Sequence, residues 1–159
     1  METRLKSWRS GNESETREIG RRLASLLEPD GTLLLTGDLG AGKTVLTQGI
    51  ASGLGIDHRE VQSPTYTLMR EHEGHDGSLL HVDLYRLDPA DVETVGLEER
   101  LAGPGVKVVE WAERIPFPVP GALRLAMRIL EDGHVREIAE HAESEVNDVL
   151  ESAADEPGR

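Results

Sequence analysis

Apolar residues recur along the chain with two periods, and the alternation between them predicts a series of helices and strands. Ile19, Leu23, Leu26 and Leu27 share one face of a 3.6-residue repeat, the mark of a helix. Asn12 stands ahead of it as a cap, with Glu15 three residues on, as in a capping box. Pro29-Asp30-Gly31 ends this helix, and the apolar run Thr32 to Thr36 predicts a buried strand. Leu46, Ile50 and Leu54 restore helical spacing over 45–52, with Gly53 and Gly55 suited to the helix end. Ser63 to Met69 is expected to be extended, because Pro64 opposes helix and its β-branched and aromatic neighbours favour strand. Turn residues Gly74, Asp76, Gly77 and Ser78 separate it from a second apolar run, Leu79 to Tyr85, so the two predict a hairpin.

Asp88 and Pro89 open a short helix reaching Val95, and Leu97 to Leu101 forms another helical turn. Gly103-Pro104-Gly105 breaks the chain before a short strand, Val106 to Val109, that ends at Glu110-Trp111. Pro116, Pro118 and Pro120 make a stiff connector. Leu123 to Leu130 then alternates as a half-buried strand, turns at Glu131 to His134 and returns over Val135 to Ala139. Beyond His141 the pattern weakens to a frayed helix around Val146 to Leu150. Strands alternating with helices, followed by a late hairpin, predict an α/β fold: a mixed β-sheet with helices on both faces. Ligands bind such sheets at the carboxyl ends of the strands, where the segment after Thr36, Asp83 and Glu110 would all fall.

The length of 159 residues suits one domain, read here as residues 1–140 followed by an acidic tail over 141–159. Aromatic residues make up only 3%, so Leu, Val, Ile and Ala must build the core. Cysteine is absent, which excludes disulfides and thiolate metal sites and points to the cytoplasm. The N-terminus carries no long apolar stretch of secretory type, and no run reaches the length of a membrane span. The net charge of −13 is uneven: residues 131–159 hold ten acids against Arg136 and Arg159. That tail is expected to be solvated. No basic stripe for nucleic acid is evident, so any RNA chemistry would need a partner to supply phosphate contacts.

One string changes the picture. Gly37-Asp38-Leu39-Gly40-Ala41-Gly42-Lys43-Thr44 reads G-x-x-x-x-G-K-T directly behind a predicted strand and ahead of a predicted helix, the pattern of a phosphate-binding loop. The glycines let successive backbone N–H groups turn inward around a phosphate, and the helix N-terminus adds its positive end. Lys43, expected outside the core, would reach the β- and γ-phosphates, and the Thr44 hydroxyl would ligate magnesium. A triphosphate site also needs carboxylates near the metal, and Asp83 and Glu110 each follow an apolar strand. An acid there also suits a turn. Thr65 is a candidate γ-phosphate contact or a plain turn hydroxyl, and Trp111 either shields a ligand or caps the core. Arg86 suits an RNA phosphate, a partner acid or solvent. His72 and His75 read as an exposed loop pair, without metal spacing.

Four strings in order carry a resemblance: the loop at 37–44, Ser-Pro-Thr-Tyr-Thr-Leu at 63–68, His-Val-Asp-Leu-Tyr-Arg-Leu at 81–87 and Val-Glu-Trp-Ala-Glu-Arg at 109–114. Together they resemble the TsaE (YjeE) family of bacterial ATPases needed for threonylcarbamoyladenosine in tRNA, over about residues 12–140. The resemblance implies a P-loop NTPase-like fold, ATP or ADP with Mg2+ as ligands, and TsaD and TsaB as protein partners, with tRNA engaged indirectly. By position it implies nucleotide contacts at Glu13, at loop residues Asp38, Leu39, Gly40, Ala41, Gly42, Lys43 and Thr44, and at Trp111. It also implies magnesium at Thr44 and Glu110, an acid of the second nucleotide motif at Asp83 and a switch threonine at Thr65. Val45 departs from the pattern, standing where several members carry a second threonine, and the tail has no family counterpart.

Two rival readings share the loop. A small-molecule kinase would need an acceptor pocket and an arginine-rich lid, whereas residues 88–105 are short and contain only Arg100. A nucleotide-dependent binding module without hydrolysis would have less use for the set Lys43, Thr44, Asp83 and Glu110.

Overall fold

The computed structural model describes residues 5–38, 40–63, 68–92 and 95–142. Seven strands form one sheet: β1 (Ser7–Ser10), β2 (Thr32–Gly37), β3 (Met69–Glu73), β4 (Ser78–Asp83), β5 (Val106–Glu110), β6 (Leu123–Ile129) and β7 (Arg136–Glu140). Their order across the sheet is β1-β7-β6-β2-β5-β4-β3. The four central strands β6, β2, β5 and β4 run parallel. β3 pairs antiparallel with β4 at one edge; at the other, β7 pairs antiparallel with β6 and β1 antiparallel with β7. Both predicted hairpins are therefore present, as β3-β4 and β6-β7.

Each face of the sheet is covered. Helices α1 (Glu13–Leu27) and α2 (Lys43–Gly53) lay Leu23, Leu27, Leu46 and Ile50 on Leu33, Leu35, Val108, Leu125 and Met127. On the other face α3 (Pro89–Val92) and α4 (Leu97–Leu101) bring Val92, Leu97 and Leu101 onto Leu34, Leu80, Val82 and Val109. The proline connector adds Phe117 and Val119 there. A strand covered on both sides has no polar face, and β5 is buried at all five positions. α1 and α2 pack so closely that a Cβ on Gly49 would stand 2.1 Å from the Arg17 carbonyl oxygen, which only glycine avoids.

The α1 start is as expected: Asn12 Oδ1 accepts from the Glu15 N–H at 2.8 Å, while the Glu15 carboxylate takes the Gly11 N–H rather than that of Asn12. Four details differ. β1 is an additional strand, polar and short, that exists because β7 offers it a ladder. The first strand of the hairpin begins only at Met69; residues 64–67 lie outside the described segment, as do 93–94 of the expected helix and the expected helix at 146–150. Leu26 is 55% exposed, because the buried stripe of α1 runs through Ile19, Gly20, Leu23, Ala24 and Leu27. His72 is a buried β3 residue rather than a loop residue; its strand position turns it toward the covered face, whereas His75 in the turn is exposed.

Candidate active site

Parallel pairing brings the carboxyl ends of three strands level. Leu35 of β2 stands beside Glu110 of β5, and Glu110 beside Asp83 of β4. From β2 the chain crosses to α2 through the glycine-rich loop, with Gly42 in the left-handed region at φ 100° as it enters the helix. Lys43, at 5% exposure, belongs to the core of this edge, contrary to its expected surface position. The reason is the loop itself, which wraps the side chain so that Nζ donates to the carbonyls of Gly37 at 2.7 Å and Asp38 at 3.0 Å. Nζ also lies 4.3 Å from the centroid of the Trp111 ring, a cation–π contact. Burial pushes the Lys43 ammonium below its ordinary range, opposed by the negative charges of Glu110, Glu113, Asp83 and Asp38.

Glu110 is 3% exposed and links two elements. The Thr44 hydroxyl donates toward both of its oxygens, at 3.2 and 3.3 Å. On its inner side Glu110 Oε2 meets Nε2 of the fully buried His81. Asp83 is more open. Its Oδ1 accepts from the Tyr85 N–H and its Oδ2 from the Ser63 hydroxyl, both at 2.9 Å. That second bond anchors the start of the 63–68 segment at the site. Gln48 of α2 holds the same segment farther back, donating to the Val61 carbonyl at 2.9 Å.

Trp111 adopts φ 59°, unusual for a bulky side chain, and so swings its ring over the loop as β5 ends. Tyr85 packs on it with centroids 4.9 Å apart, and the Arg114 guanidinium lies 5.9 Å from the ring. Arg114 also donates to the Leu87 carbonyl at 2.7 Å, tying the segment after β4 to the segment after β5. Glu113 contributes a carboxyl whose Oε1 is buried and unpartnered, and burial raises it above the ordinary carboxylate range.

The family model for "Threonylcarbamoyl adenosine biosynthesis protein TsaE" matches residues 10–138. The chain belongs to the TsaE family. A tRNA threonylcarbamoyladenosine biosynthesis protein TsaE from Bacillus subtilis is 44% identical over 113 residues, covering 71% of this chain and 70% of that protein. The TsaE of Treponema pallidum is 39% identical over 131 residues, covering 81% of this chain and 95% of its own. Among solved structures, Bacillus subtilis YdiB aligns with a TM-score of 0.68 at 32% identity, over 97% of this chain and 100% of that one. The mixed sheet is accordingly the P-loop NTPase-like α/β fold read from the sequence.

Against the TsaE pattern, Lys43, Thr44, Glu110, Asp83 and Trp111 converge on one edge, with Asp38, Gly40, Ala41 and Gly42 in the loop beside them. Leu39 and Thr65 lie outside the described residues. Glu13 sits in the first turn of α1 with its carboxylate on Arg17 at 3.2 Å, and no described hydrogen bond or ion pair joins it to the loop. His81, Glu113 and Arg114 were not singled out from the sequence. All three lie inside the quoted strings at 81–87 and 109–114, and position behind or beside Glu110 and Trp111 was the missing signal.

The oxygen donors Thr44, Glu110 and Asp83 suit a hard cation such as magnesium rather than a soft one. Among the described residues no cluster of three His, Asp or Glu side chains can hold a metal alone. A magnesium ion here would need phosphate and water as its other ligands, which is how this ion binds in nucleotide sites.

Proposed function

We propose that this chain is a magnesium-dependent ATPase that supports threonylcarbamoyladenosine modification of tRNA, acting with TsaD and TsaB in the cytoplasm. One observation carries the reading: the Thr44 hydroxyl at the start of α2 meets the Glu110 carboxylate at the end of β5, beside the loop lysine. The names of the relatives support the tRNA pathway. No helix among the described residues is long and apolar enough to cross a membrane.

The residues divide the work. Lys43 exchanges the Gly37 and Asp38 carbonyls for β- and γ-phosphate oxygens, which offset the cost of its burial better than two neutral acceptors do. Freed loop N–H groups and the α2 N-terminus cradle the phosphates. Thr44 and Glu110 would hold magnesium, with Asp83 as the neighbouring acid; when bound, the ion neutralises charge on the transferring phosphoryl group. Ser63, bonded to Asp83, opens the Ser-Pro-Thr string, whose Thr65 would serve as a nucleotide-sensing switch. The exposed Tyr85 and Arg86 form the face offered to the partners.

Phosphate release from ATP, measured with and without TsaD and TsaB, tests the reading. Stimulation by the partners is expected. Release only when a small-molecule acceptor is supplied would instead identify a kinase.

A further inference from the structure

His81 is fully buried, and in the ladder it stands beside Val108 of β5 and Arg70 of β3. An apolar residue would fill this strand position without the desolvation that an imidazole incurs. The imidazole recovers one bond: Nε2 meets Glu110 Oε2, while Nδ1 is buried without a partner. A carboxylate only accepts, so Nε2 carries the proton. Glu110 is thus held from two sides, by His81 from within the sheet and by the Thr44 hydroxyl from the open edge.

We propose that His81 is a positioning residue that fixes the Glu110 carboxylate in the rotamer that faces Thr44 and the metal. The inference rests on the ATPase reading and extends it. Ligating carboxylates depend on such outer hydrogen bonds for orientation. Without the bond Glu110 is free to turn about its terminal torsion, which is broad for an sp3–sp2 bond. The fold of the loop and the lysine contacts do not pass through His81, so phosphate binding without metal should not depend on it.

Two substitutions separate positioning from packing. His81→Gln places an amide N–H near the position of Nε2; His81→Asn is also polar but too short to reach Glu110. Affinity for a fluorescent ADP analogue is titrated with Mg2+ and repeated in a chelator, with thermal unfolding of the nucleotide-free protein alongside. The Mg2+ concentration for half-maximal effect should rise about ten- to a hundredfold in His81→Asn and much less in His81→Gln. Metal-free affinity should match wild type in both. Should His81→Asn not fold, His81→Leu takes its place with the same expected rise. Equal Mg2+ midpoints in all proteins would overturn the inference while leaving the ATPase reading intact. So would a loss of metal-free affinity as large as the loss with Mg2+, since that marks a packing role. Wild-type protein that binds no nucleotide would remove both together.

Discussion

The two ends of the sheet each bury a lysine, and they use it differently. At the carboxyl end Lys43 donates to Gly37 and Asp38, stacks on Trp111 and feels four acids. At the amino end Lys107 of β5 is 2% exposed and donates to the Asp30 carbonyl at 2.8 Å. It lines a cavity of about 620 Å3 with Thr32, Leu101 and Phe117. Burial lowers both ammonium groups from their ordinary range, but only Asp30 opposes the shift at Lys107. Burial of a lysine is therefore not by itself a functional mark. At Lys107 it staples the turn between α1 and β2 to the start of β5. At Lys43 the same cost is incurred among acids, an aromatic face and the carbonyls of a glycine-rich loop.

The comparison breaks most sharply on activity. Lys43→Met should reduce ATP turnover at least about 100-fold, because a charge aimed at the transferring phosphoryl group is lost. Lys107→Met should leave turnover unchanged. Comparable losses in both proteins would mean that the amino end also serves the reaction. On stability, Gly49→Ala should cost about 1–3 kcal/mol in denaturant unfolding, since its new Cβ drives α2, which carries Lys43 and Thr44, away from α1. Lys107→Met should shift the unfolding free energy by at most about 2 kcal/mol, as the lost carbonyl bond and the removed buried charge oppose each other.

The smallest effect sharpens the electrostatic side. Glu113 is raised above 4.5 by burial, so the native state holds its proton to higher pH than the unfolded chain does. The native state then binds more protons, and this group's contribution to stability is full at acid pH and is lost as pH rises above 4.5 toward the raised value. Glu113→Gln should flatten that decline in a pH series of thermal unfolding. An unchanged slope would show that Glu113 is solvated in the native protein.

What the sequence disclosed follows from how local each signal is. The loop at 37–44 is a contiguous string between a strand and a helix, and its place in the fold is legible without tertiary information. Asp83 and Glu110 were legible because acids at the carboxyl ends of parallel strands share one edge. β1 was not, since Ser-Trp-Arg-Ser has no periodicity and becomes a strand only against residues 136–139. His81 and Glu113 gain meaning from neighbours brought by β5 and the loop, a matter of register rather than spacing. His72 was misread because the glycine-rich turn after it suggested a loop reaching farther back.

The sheet order also bears on synthesis at the ribosome. β2, which leads into the glycine-rich loop, has β5 and β6 as its partners, and both are made more than sixty residues later. A nascent chain ending anywhere before β5 therefore presents the Gly37–Thr44 string with no strand beside it. Such non-local pairing delays completion until most of the chain has emerged. Prematurely terminated products of this chain should consequently be unable to sequester ATP, even when they already contain the whole glycine-rich signature.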